Sequence, residues 1–288
     1  MYLANEWKDY AVIDCGGGEK YERWGDVTLL RPDPQAVWPM SPPPFVDAHY
    51  LRSSQGGGEW SFHRKLPEKW VIERKGLRFV VRPTGFKHTG LFPEQAVNWD
   101  WMGERIAAHH ARRGVPCQVL NLFAYTGGAT LACLAAGAAV VHVDAAKGMV
   151  AWAKENAQHS RLGERPVRWI VDDVLKFVRR EARRGRQYDA IVMDPPSYGR
   201  GPGGEMWKIE ESLYPLVAAC MDILSDTPAF FLINSYTTGL APSVLKNVLH
   251  LSVGVRHGGQ IESDEIGLPV EQRGLCLPCG ASGRWWPQ

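Results

Sequence analysis

The chain has 288 residues, 45% of them hydrophobic, which is enough for one large domain and a smaller one. Its 33 Lys and Arg against 31 Asp and Glu give a net charge of +2, so any electropositive surface must come from local clustering. The N-terminus lacks the segments of a signal peptide, and no apolar run reaches the about 18 residues of a membrane span. We therefore expect a cytoplasmic protein with no membrane association, whose six cysteines are reduced thiols.

The cysteine spacing gives little support to a metal site. Cys276 and Cys279 form one C-x-x-C motif, and no second pair lies at the spacing of a zinc site. We therefore expect no metal ion.

Residues 1–90 have the pattern of a small β-rich module. Short, mostly alternating apolar segments at 10–14, 26–31, 60–63 and 70–73 are separated by two triple glycines and a triple proline. Such a pattern predicts antiparallel strands joined by turns. We assign residues 1–90 to an N-terminal module with a candidate role in substrate recognition, and residues 91–288 to a second domain.

The tryptophans of this module have two interpretations. Their rings could form a platform on which nucleic-acid bases stack. Alternatively they pack in the core and at the edges of a small β domain, and this second interpretation is favoured. The residues are Trp7, Trp24, Trp38, Trp60 and Trp70.

Residues 119–144 read as strand, glycine turn, helix and strand. The run 119–123 is apolar, Gly127 and Gly128 allow positive φ and close approach of a ligand, and Asp144 ends the second strand. Doubly wound folds hold an adenosine at such a unit, the carboxylate accepting from the ribose hydroxyls. The turn lacks the glycines of a dinucleotide site and the lysine of a P-loop. S-adenosylmethionine therefore fits better, and a turn without any ligand is the alternative.

Strands and helices continue to alternate beyond Asp144. Strands are predicted at 166–171, 188–193 and 229–233, helices at 147–158, 209–224 and from 242, with a glycine-rich loop over 199–204 and an antiparallel β ending. This alternation predicts an α/β fold with a Rossmann-like, doubly wound, mostly parallel sheet. The 121–128 turn, Asp144, Asp172 with Asp173, and the 194–198 segment all follow strands. They should therefore meet at the carboxyl edge of the sheet, where ligands bind.

The segment Asp194-Pro-Pro-Ser-Tyr198 is the candidate for the chemistry. The carboxylate of Asp194 and the carbonyl of Pro195 can accept from an exocyclic amine. Pro195 and Pro196 fix the loop and contribute no N–H that would compete for these acceptors. Tyr198 offers an aromatic face to a flipped base. The alternative is a proline-stopped strand followed by a helix-capping acid.

Four segments in this order and spacing, NLFAYTGG, VVHVD, VDDV and DPPSY, resemble the motifs of class I S-adenosylmethionine-dependent methyltransferases. The subgroup resembled most is the large-subunit ribosomal RNA base methyltransferases with an N-terminal β module. The resemblance covers residues 78–250 well and 1–77 poorly. It implies that the glycine turn wraps the methionine moiety of the cofactor, through Asn121, Phe123, Ala124, Tyr125, Thr126 and Gly127.

The resemblance also implies the remaining cofactor contacts. Asp144, with Ala145 beside it, holds the ribose, and Asp173 with Asp172 contacts the adenine amine. Asp194 borders both the cofactor and the methyl acceptor. Gln95 reaches the cofactor from the preceding loop, although relatives follow that glutamine with a basic residue where this chain has Ala96.

The methyl acceptor is predicted from what the chain lacks. Carbon-5 chemistry on cytosine needs a thiolate that adds to the ring. In the cytosine relatives a cysteine follows strand five, but here residues 235–237 read Ser-Tyr-Thr, and Cys133 and Cys220 lie in apolar helices. A base nitrogen of RNA, ribosomal RNA by resemblance, is therefore the expected acceptor. A carbon-5 cytosine enzyme and a non-catalytic nucleotide- or RNA-binding module are the alternatives, and both monomer and homodimer stay open.

Overall fold

The chain forms two compact units, seen in a computed structural model that describes residues 1–53, 57–200, 204 and 206–288. The first unit consists of Met1–Val97 and Ile266–Cys279, and the second of Asn98–Glu265 and Gly280–Gln288. Residues 91–97 and 266–279 therefore belong to the first compact unit, although the sequence pattern assigns them to the second domain. The sequence pattern alone places a domain boundary after residue 90, and this boundary stays a prediction.

The first unit is a β module, as its sequence pattern predicts. Its sheet runs in the order β2-β3-β4-β5-β6, with antiparallel pairs except for the parallel pair β4 and β5, while β7 and β8 form a separate antiparallel hairpin. Residues 266–270 add parallel pairing to β1 and β2. The strands are β1 (Tyr2–Leu3), β2 (Tyr10–Gly16), β3 (Glu19–Trp24), β4 (Val27–Pro32), β5 (Ala48–Arg52), β6 (Gly58–Phe62), β7 (Trp70–Arg74) and β8 (Leu77–Val81).

A buried ion pair lies within this module. Glu22 is fully buried and accepts from Arg31 Nε at 2.6 Å, from Arg31 Nη2 at 2.8 Å and from the Tyr10 hydroxyl at 2.7 Å. Burial by itself would raise the pKa of Glu22, but the charges of Arg31 and Lys20 and the donated hydrogen bonds outweigh it and lower that pKa. The stabilisation from the pair is therefore complete above the ordinary glutamate pKa and is lost as the pH falls through the lowered one.

The tryptophans of the module pack inside it. Trp24 is fully buried, and the other four are half-buried. Each of those four donates its indole N–H to a backbone carbonyl of the same unit. The pairs are Trp7 with Pro93, Trp38 with Cys15, Trp60 with Thr84, and Trp70 with Trp24. A buried indole usually finds a partner for its N–H, as these four do. These contacts support the packing interpretation over a base-stacking platform.

The second unit is built on a parallel sheet in the order β11-β10-β9-β12-β15, with β17 antiparallel to β15 at one side. This confirms the predicted Rossmann-like, doubly wound, mostly parallel sheet. The strands, two of which extend into the first unit, are β9 (Gln118–Leu122), β10 (Ala139–Asp144), β11 (Val167–Val171), β12 (Ala190–Met193), β13 (Tyr198–Arg200), β14 (Met206–Lys208), β15 (Phe230–Ser235), β16 (Gln260–Val270) and β17 (Leu275–Trp286).

Helices connect these strands. They are α1 (Ala96–Arg113), α2 (Gly128–Ala135), α3 (Lys147–His159), α4 (Val174–Arg183), α5 (Ile209–Cys220), α6 (Pro242–Leu249) and α7 (Val255–His257), with a 3-10 turn at Pro93–Gln95 and a π-helical turn at His250–Gly254. Neighbouring strands present Leu120, Ile191 and Phe231 in register, and these side chains belong to one buried core with Phe177 of α4 and Leu216 of α5. No helix within the described residues is long and apolar enough to cross a membrane.

The helix predicted over 209–224 and the loop predicted over 199–204 differ from the structure. The helix predicted over 209–224 ends at Cys220, because the backbone of residues 223–225 pairs instead with Tyr188, whose N–H donates to Ile223 O at 2.8 Å. Part of the loop predicted over 199–204 is extended, since β13 pairs with β14 in an antiparallel hairpin. Residues 201–203 lie outside the described part of the chain.

We expect the substitution Glu22→Gln to lower the free energy of unfolding by about 3–5 kcal/mol, because it leaves the buried Arg31 without its counter-charge. Urea denaturation followed by tryptophan fluorescence measures the change. Glu271→Gln is the control, because Glu271 is 56% exposed and lies 3.8 Å from Arg23, and surface changes of this kind stay within about 0.5 kcal/mol. Equal losses in the two variants would contradict the role given to the buried pair.

Candidate functional site

The strand register brings the predicted polar features of the second unit to one edge. Leu122 of β9 pairs with Val143 of β10 and with Met193 of β12, and Asp144 pairs with Val171 of β11. Each of these strands runs in the same direction, so the residues that follow them lie at neighbouring positions on the carboxyl edge. Ligands of doubly wound folds bind at this edge, beside the point where the strand order reverses.

The turn after β9 has an unusual backbone. Phe123 and Tyr125 have φ values of 53° and 50°, and Gly127 has a φ of 87°. Residues other than glycine rarely adopt this left-handed conformation, which costs of order 1–3 kcal/mol and is concentrated at functional sites. Ala124 N–H donates to Val143 O at 3.0 Å, and the Asn156 amide of α3 donates to Thr126 O at 2.9 Å. These bonds hold the turn in its strained form.

Asp144 fixes the same turn from the end of β10. One carboxylate oxygen accepts from Tyr125 N–H and the other from Ala146 N–H, both at 2.8 Å. Asp144 is half-buried, and burial raises the pKa of its carboxyl although the two backbone hydrogen bonds oppose that change. Ala145 is exposed beside it. A carboxylate has about four acceptor positions, so two remain for other donors.

A buried chain of hydrogen bonds lies beneath the turn. The Asn121 amide donates to Thr130 Oγ1 at 2.9 Å, and Thr130 Oγ1 lies 2.9 Å from His142 Nδ1. Burial lowers the pKa of His142 to about 3. The predicted cofactor residue Asn121 therefore turns its side chain into the protein and anchors α2. Sequence reasoning missed Thr130, His142 and Asn156, because their contacts exist only in the folded unit.

Asp172 and Asp173 follow β11, as predicted. The Asp172 carboxylate pairs with Arg180 Nη2 at 2.5 Å and also accepts from Asp173 N–H. Asp173 is the N-cap of α4 and accepts from Lys176 N–H at 2.8 Å. Both acids are half-buried. At least one oxygen of each is thus held by the protein itself, in a manner typical of helix starts.

The segment 194–198 follows β12 and is held from two sides. The Trp207 indole donates to Pro196 O at 2.6 Å, and Ser197 Oγ lies 2.6 Å from Thr237 Oγ1, in the segment after β15. Trp207 also contacts Phe123 of the glycine turn edge-to-face at 4.9 Å between ring centroids. Pro195 is buried, Asp194 is half-buried and Tyr198 is 56% exposed. Trp207 thereby connects the segment to the turn, a role that sequence reasoning missed.

Gln95 lies in the first compact unit, in the turn Pro93–Gln95, and its side chain is buried there. Its assignment as a cofactor contact stays a prediction. All the other predicted site residues belong to the second unit and lie at the carboxyl edge of its sheet.

The residues at this edge fit an adenosine ligand without phosphates. The glycine turn is closely packed from behind, since a Cβ built on Gly127 would meet Ala153 Cβ at 3.0 Å and Leu131 Cδ1 at 3.3 Å. Helix α2 starts at this turn, and Asp144 places a carboxylate beside it. A carboxylate suits ribose hydroxyls, and it disfavours a phosphate at the same position.

A profile of the S-adenosylmethionine-dependent methyltransferases matches residues 19–207, more than half of the chain. This chain belongs to that family. The resemblance noted in its sequence motifs is thereby confirmed, and the methyltransferase uses S-adenosylmethionine as its cofactor.

Three proteins illustrate the similarity. The crystal structure of the SAM-dependent methyltransferase from Agrobacterium tumefaciens is 36% identical, with a TM-score of 0.91, over 98% of this chain and 91% of that one. The ribosomal RNA large subunit methyltransferase K/L of Shewanella sp. (strain ANA-3) is 31% identical over 141 residues, 47% of this chain and 19% of the relative. The ribosomal RNA large subunit methyltransferase I of Cronobacter sakazakii is 32% identical over 134 residues, 46% of this chain and 32% of the relative. The methyltransferase thus spans between a fifth and a third of the length of these curated relatives.

We expect Gly127→Ala to weaken S-adenosylmethionine binding and to destabilise the methyltransferase, because the new Cβ meets Ala153 and Leu131 in a left-handed backbone. Isothermal titration and urea denaturation measure the two effects. Gly137→Ala is a matched control: its φ is 90°, but nothing lies within 4 Å of an added Cβ. It should lose only the about 1–2 kcal/mol of left-handed strain and bind the cofactor normally. Normal cofactor affinity in folded Gly127→Ala would contradict the importance of the close packing.

Proposed function

We propose that this methyltransferase transfers the sulfonium methyl group to a base nitrogen of RNA, and that ribosomal RNA is its substrate. The observation that carries the proposal is the position of Asp194 and Pro195, which follow β12 directly beside the glycine turn that follows β9. The two curated relatives described above are named as ribosomal RNA methyltransferases. The cytoplasmic location expected from the sequence accords with such a substrate.

The cofactor site that we propose consists of the turn and the acids around it. Residues 121–127 would enclose the methionine moiety with their backbone, and Asp144, with Ala145 beside it, would accept from the ribose hydroxyls. Asp172 and Asp173 would border the adenine position, and the assignment of Gln95 as a cofactor contact stays a prediction from the sequence. The left-handed backbone at Phe123 and Tyr125 supports this assignment, because such strain is retained where the surrounding structure and a function require it.

The chemistry needs positioning above all. When bound, S-adenosylmethionine supplies an electrophilic methyl group on a positively charged sulfur. Asp194 and the Pro195 carbonyl would accept hydrogen bonds from the amine of the base. These bonds would orient the nitrogen lone pair along the line of transfer, and the Asp194 carboxylate would receive the proton that the amine loses. Positioning of this kind corresponds to about 7–11 kcal/mol of the barrier. Tyr198 would stack on the base, and its 56% exposure leaves its ring accessible.

The cysteines of the second unit support nitrogen over carbon 5 as the acceptor. Cys133 and Cys220 are fully buried, and burial raises the pKa of the Cys133 thiol to about 12 and that of Cys220 still further. A thiol of this kind is a poor nucleophile, because the thiolate is the reactive form. At the end of β15, where the cytosine relatives have a cysteine, Ser235 accepts from Thr237 N–H through its hydroxyl.

We expect Asp144→Ala to weaken S-adenosylmethionine binding by about 1.5–3 kcal/mol, the range for a hydrogen bond to a charged group. The loss has two parts, the ribose contact and the support of Tyr125 N–H. Asp144→Asn separates them, because its amide oxygen can still accept from Tyr125, and its affinity should lie between those of wild type and Asp144→Ala. Isothermal titration gives the values. If folded Asp144→Ala binds S-adenosylmethionine as tightly as the wild type does, Asp144 is not part of the cofactor site.

We expect Asp194→Ala to abolish methyl transfer while it changes cofactor affinity less than Asp144→Ala does, because Asp194 mainly contacts the acceptor. Transfer of a radiolabelled methyl group to total RNA measures the activity, and isothermal titration measures the affinity. Glu211→Ala is the control, since Glu211 is exposed and forms an ion pair with the surface residue Lys208. Undiminished transfer in Asp194→Ala would rule out its proposed role.

We expect the product to be an N-methylated purine nucleoside in RNA. Nucleoside analysis of ribosomal RNA after labelling identifies it, with protein and small-molecule pools as parallel acceptors. Tyr198→Ala should reduce activity through weaker acceptor binding, at ~1–3 kcal/mol for one stacked base, and leave cofactor affinity unchanged. The appearance of 5-methylcytosine, with activity lost in Cys220→Ser, would show that carbon 5 and not a nitrogen is the acceptor. Cofactor binding without transfer to any pool would indicate a non-catalytic module.

A further inference from the structure

Three side chains with metal-binding atoms meet at the other end of the parallel strands. His109 lies on α1, Cys117 precedes β9 and Asp189 precedes β12. The starts of these strands are neighbours, because Val119 of β9 pairs with Ala190 of β12. The cluster therefore lies at the amino edge of the sheet, about 16 Å from the carboxyl edge, given the ~3.3 Å rise per residue of a five-residue strand.

The spacing of these groups does not suit hydrogen bonds. The imidazole, the thiol and a carboxylate oxygen lie within 4.8 Å of one another, and His109 Nε2 is 3.7 Å from Asp189 Oδ2. A separation of 3.7 Å is too long for a hydrogen bond. Two ligands of one tetrahedral zinc ion, with bonds of roughly 2.0–2.3 Å, are separated by roughly 3.3–3.6 Å. The observed spacing is close to that of ligands that share an ion.

His109 has an unusual environment. Its side chain is 98% buried, since only 2% of its surface is exposed, and neither ring nitrogen has a hydrogen-bond partner among the described residues. A buried polar group without a partner costs free energy. A metal ion that binds the lone pair of one ring nitrogen would supply one of the two missing interactions.

We propose that His109, Cys117 and Asp189 bind one zinc ion, with a water molecule as the fourth ligand. Imidazole, thiolate and carboxylate are all ordinary zinc ligands, and a thiolate with an imidazole favours zinc over magnesium or calcium. A neutral imidazole, one thiolate and one carboxylate bring two negative charges to a divalent cation. The occupied site is electrically neutral, which suits its burial.

The ligand types define the stoichiometry of zinc binding in protons. Zinc binds the thiolate, whereas a thiol with its ordinary pKa of about 8.5 is mostly protonated near neutral pH. Zinc binding near neutral pH must then replace the thiol hydrogen, so that one Zn–S bond forms and one proton leaves to the buffer.

Asp189 is already oriented by its neighbours. Gln118 N–H donates to its Oδ2 at 2.9 Å, and Ser225 Oγ donates to its Oδ1 at 3.0 Å. Such outer hydrogen bonds fix the direction of a carboxylate ligand. Because the cluster lies at the amino edge of the sheet, the ion would stabilise the junction of α1, β9 and β12 and take no part in methyl transfer.

The test is a titration of zinc chloride into chelator-treated wild-type protein, in two buffers of different ionisation enthalpy. We expect one zinc ion per chain, release of one proton per ion and an increase in Tm. Titration with cobalt chloride should add a near-ultraviolet thiolate-to-cobalt charge-transfer band. His109→Gln and Cys117→Ala should lose both signals. Cys133→Ala is the matched control, because Cys133 is equally buried and lies outside the cluster.

The C-x-x-C motif is the rival site, and the double variant Cys276→Ala/Cys279→Ala addresses it without altering the cluster. Retained zinc binding and a retained cobalt band in this variant support the proposal, even if Cys117→Ala does not fold. Loss of both in the double variant would overturn it. Absence of tight zinc binding by the wild-type protein, while it still binds S-adenosylmethionine, would overturn it as well.

Discussion

The parallel pairing of β9 with β10 on one side and β12 on the other is the constraint on which the second unit depends. Backbone hydrogen bonds set this register, and a shift by one residue would turn each strand's buried side chains to the opposite face. The same register places the ends of the three strands side by side. The glycine turn, Asp144 and Asp194 are therefore neighbours although as many as 73 positions separate them in the sequence.

The carboxyl edge is held in place by interactions that reach across from other elements. Asn156 of α3 supports the turn from one side, Asp144 supports it through Tyr125, and Trp207 joins it to the 194–198 segment. Each contact has a different source along the chain. A site supported in this way has little freedom to adjust, which agrees with the general finding that catalytic groups need rigid support.

Much of this arrangement could be predicted from sequence, and the reasons are physical. Apolar runs of strand length and the alternation of strands with helices indicated the parallel sheet, since each pattern reflects burial along a single element. The polar residues that end those strands followed from the same pattern. Thr130, His142 and Trp207 could not be predicted, because their roles depend on contacts between elements that no local pattern records. The side chain of Asn121 shows the limit well: its position in the motif is as predicted, yet its amide points toward Thr130.

The first unit is built from two segments that lie far apart in the sequence, and this limits the order in which the chain can fold during synthesis. Residues 266–279 belong to the same compact unit as residues 1–97, so the ribosome makes residues 98–265 of the second unit before it completes the first unit. At about 5–20 residues per second, the N-terminal strands wait on the order of ten seconds or longer for their last partner. During that interval the edges of β1 and β2 lack the pairing that residues 266–270 later provide, and an unpaired strand edge can pair with a strand of another chain.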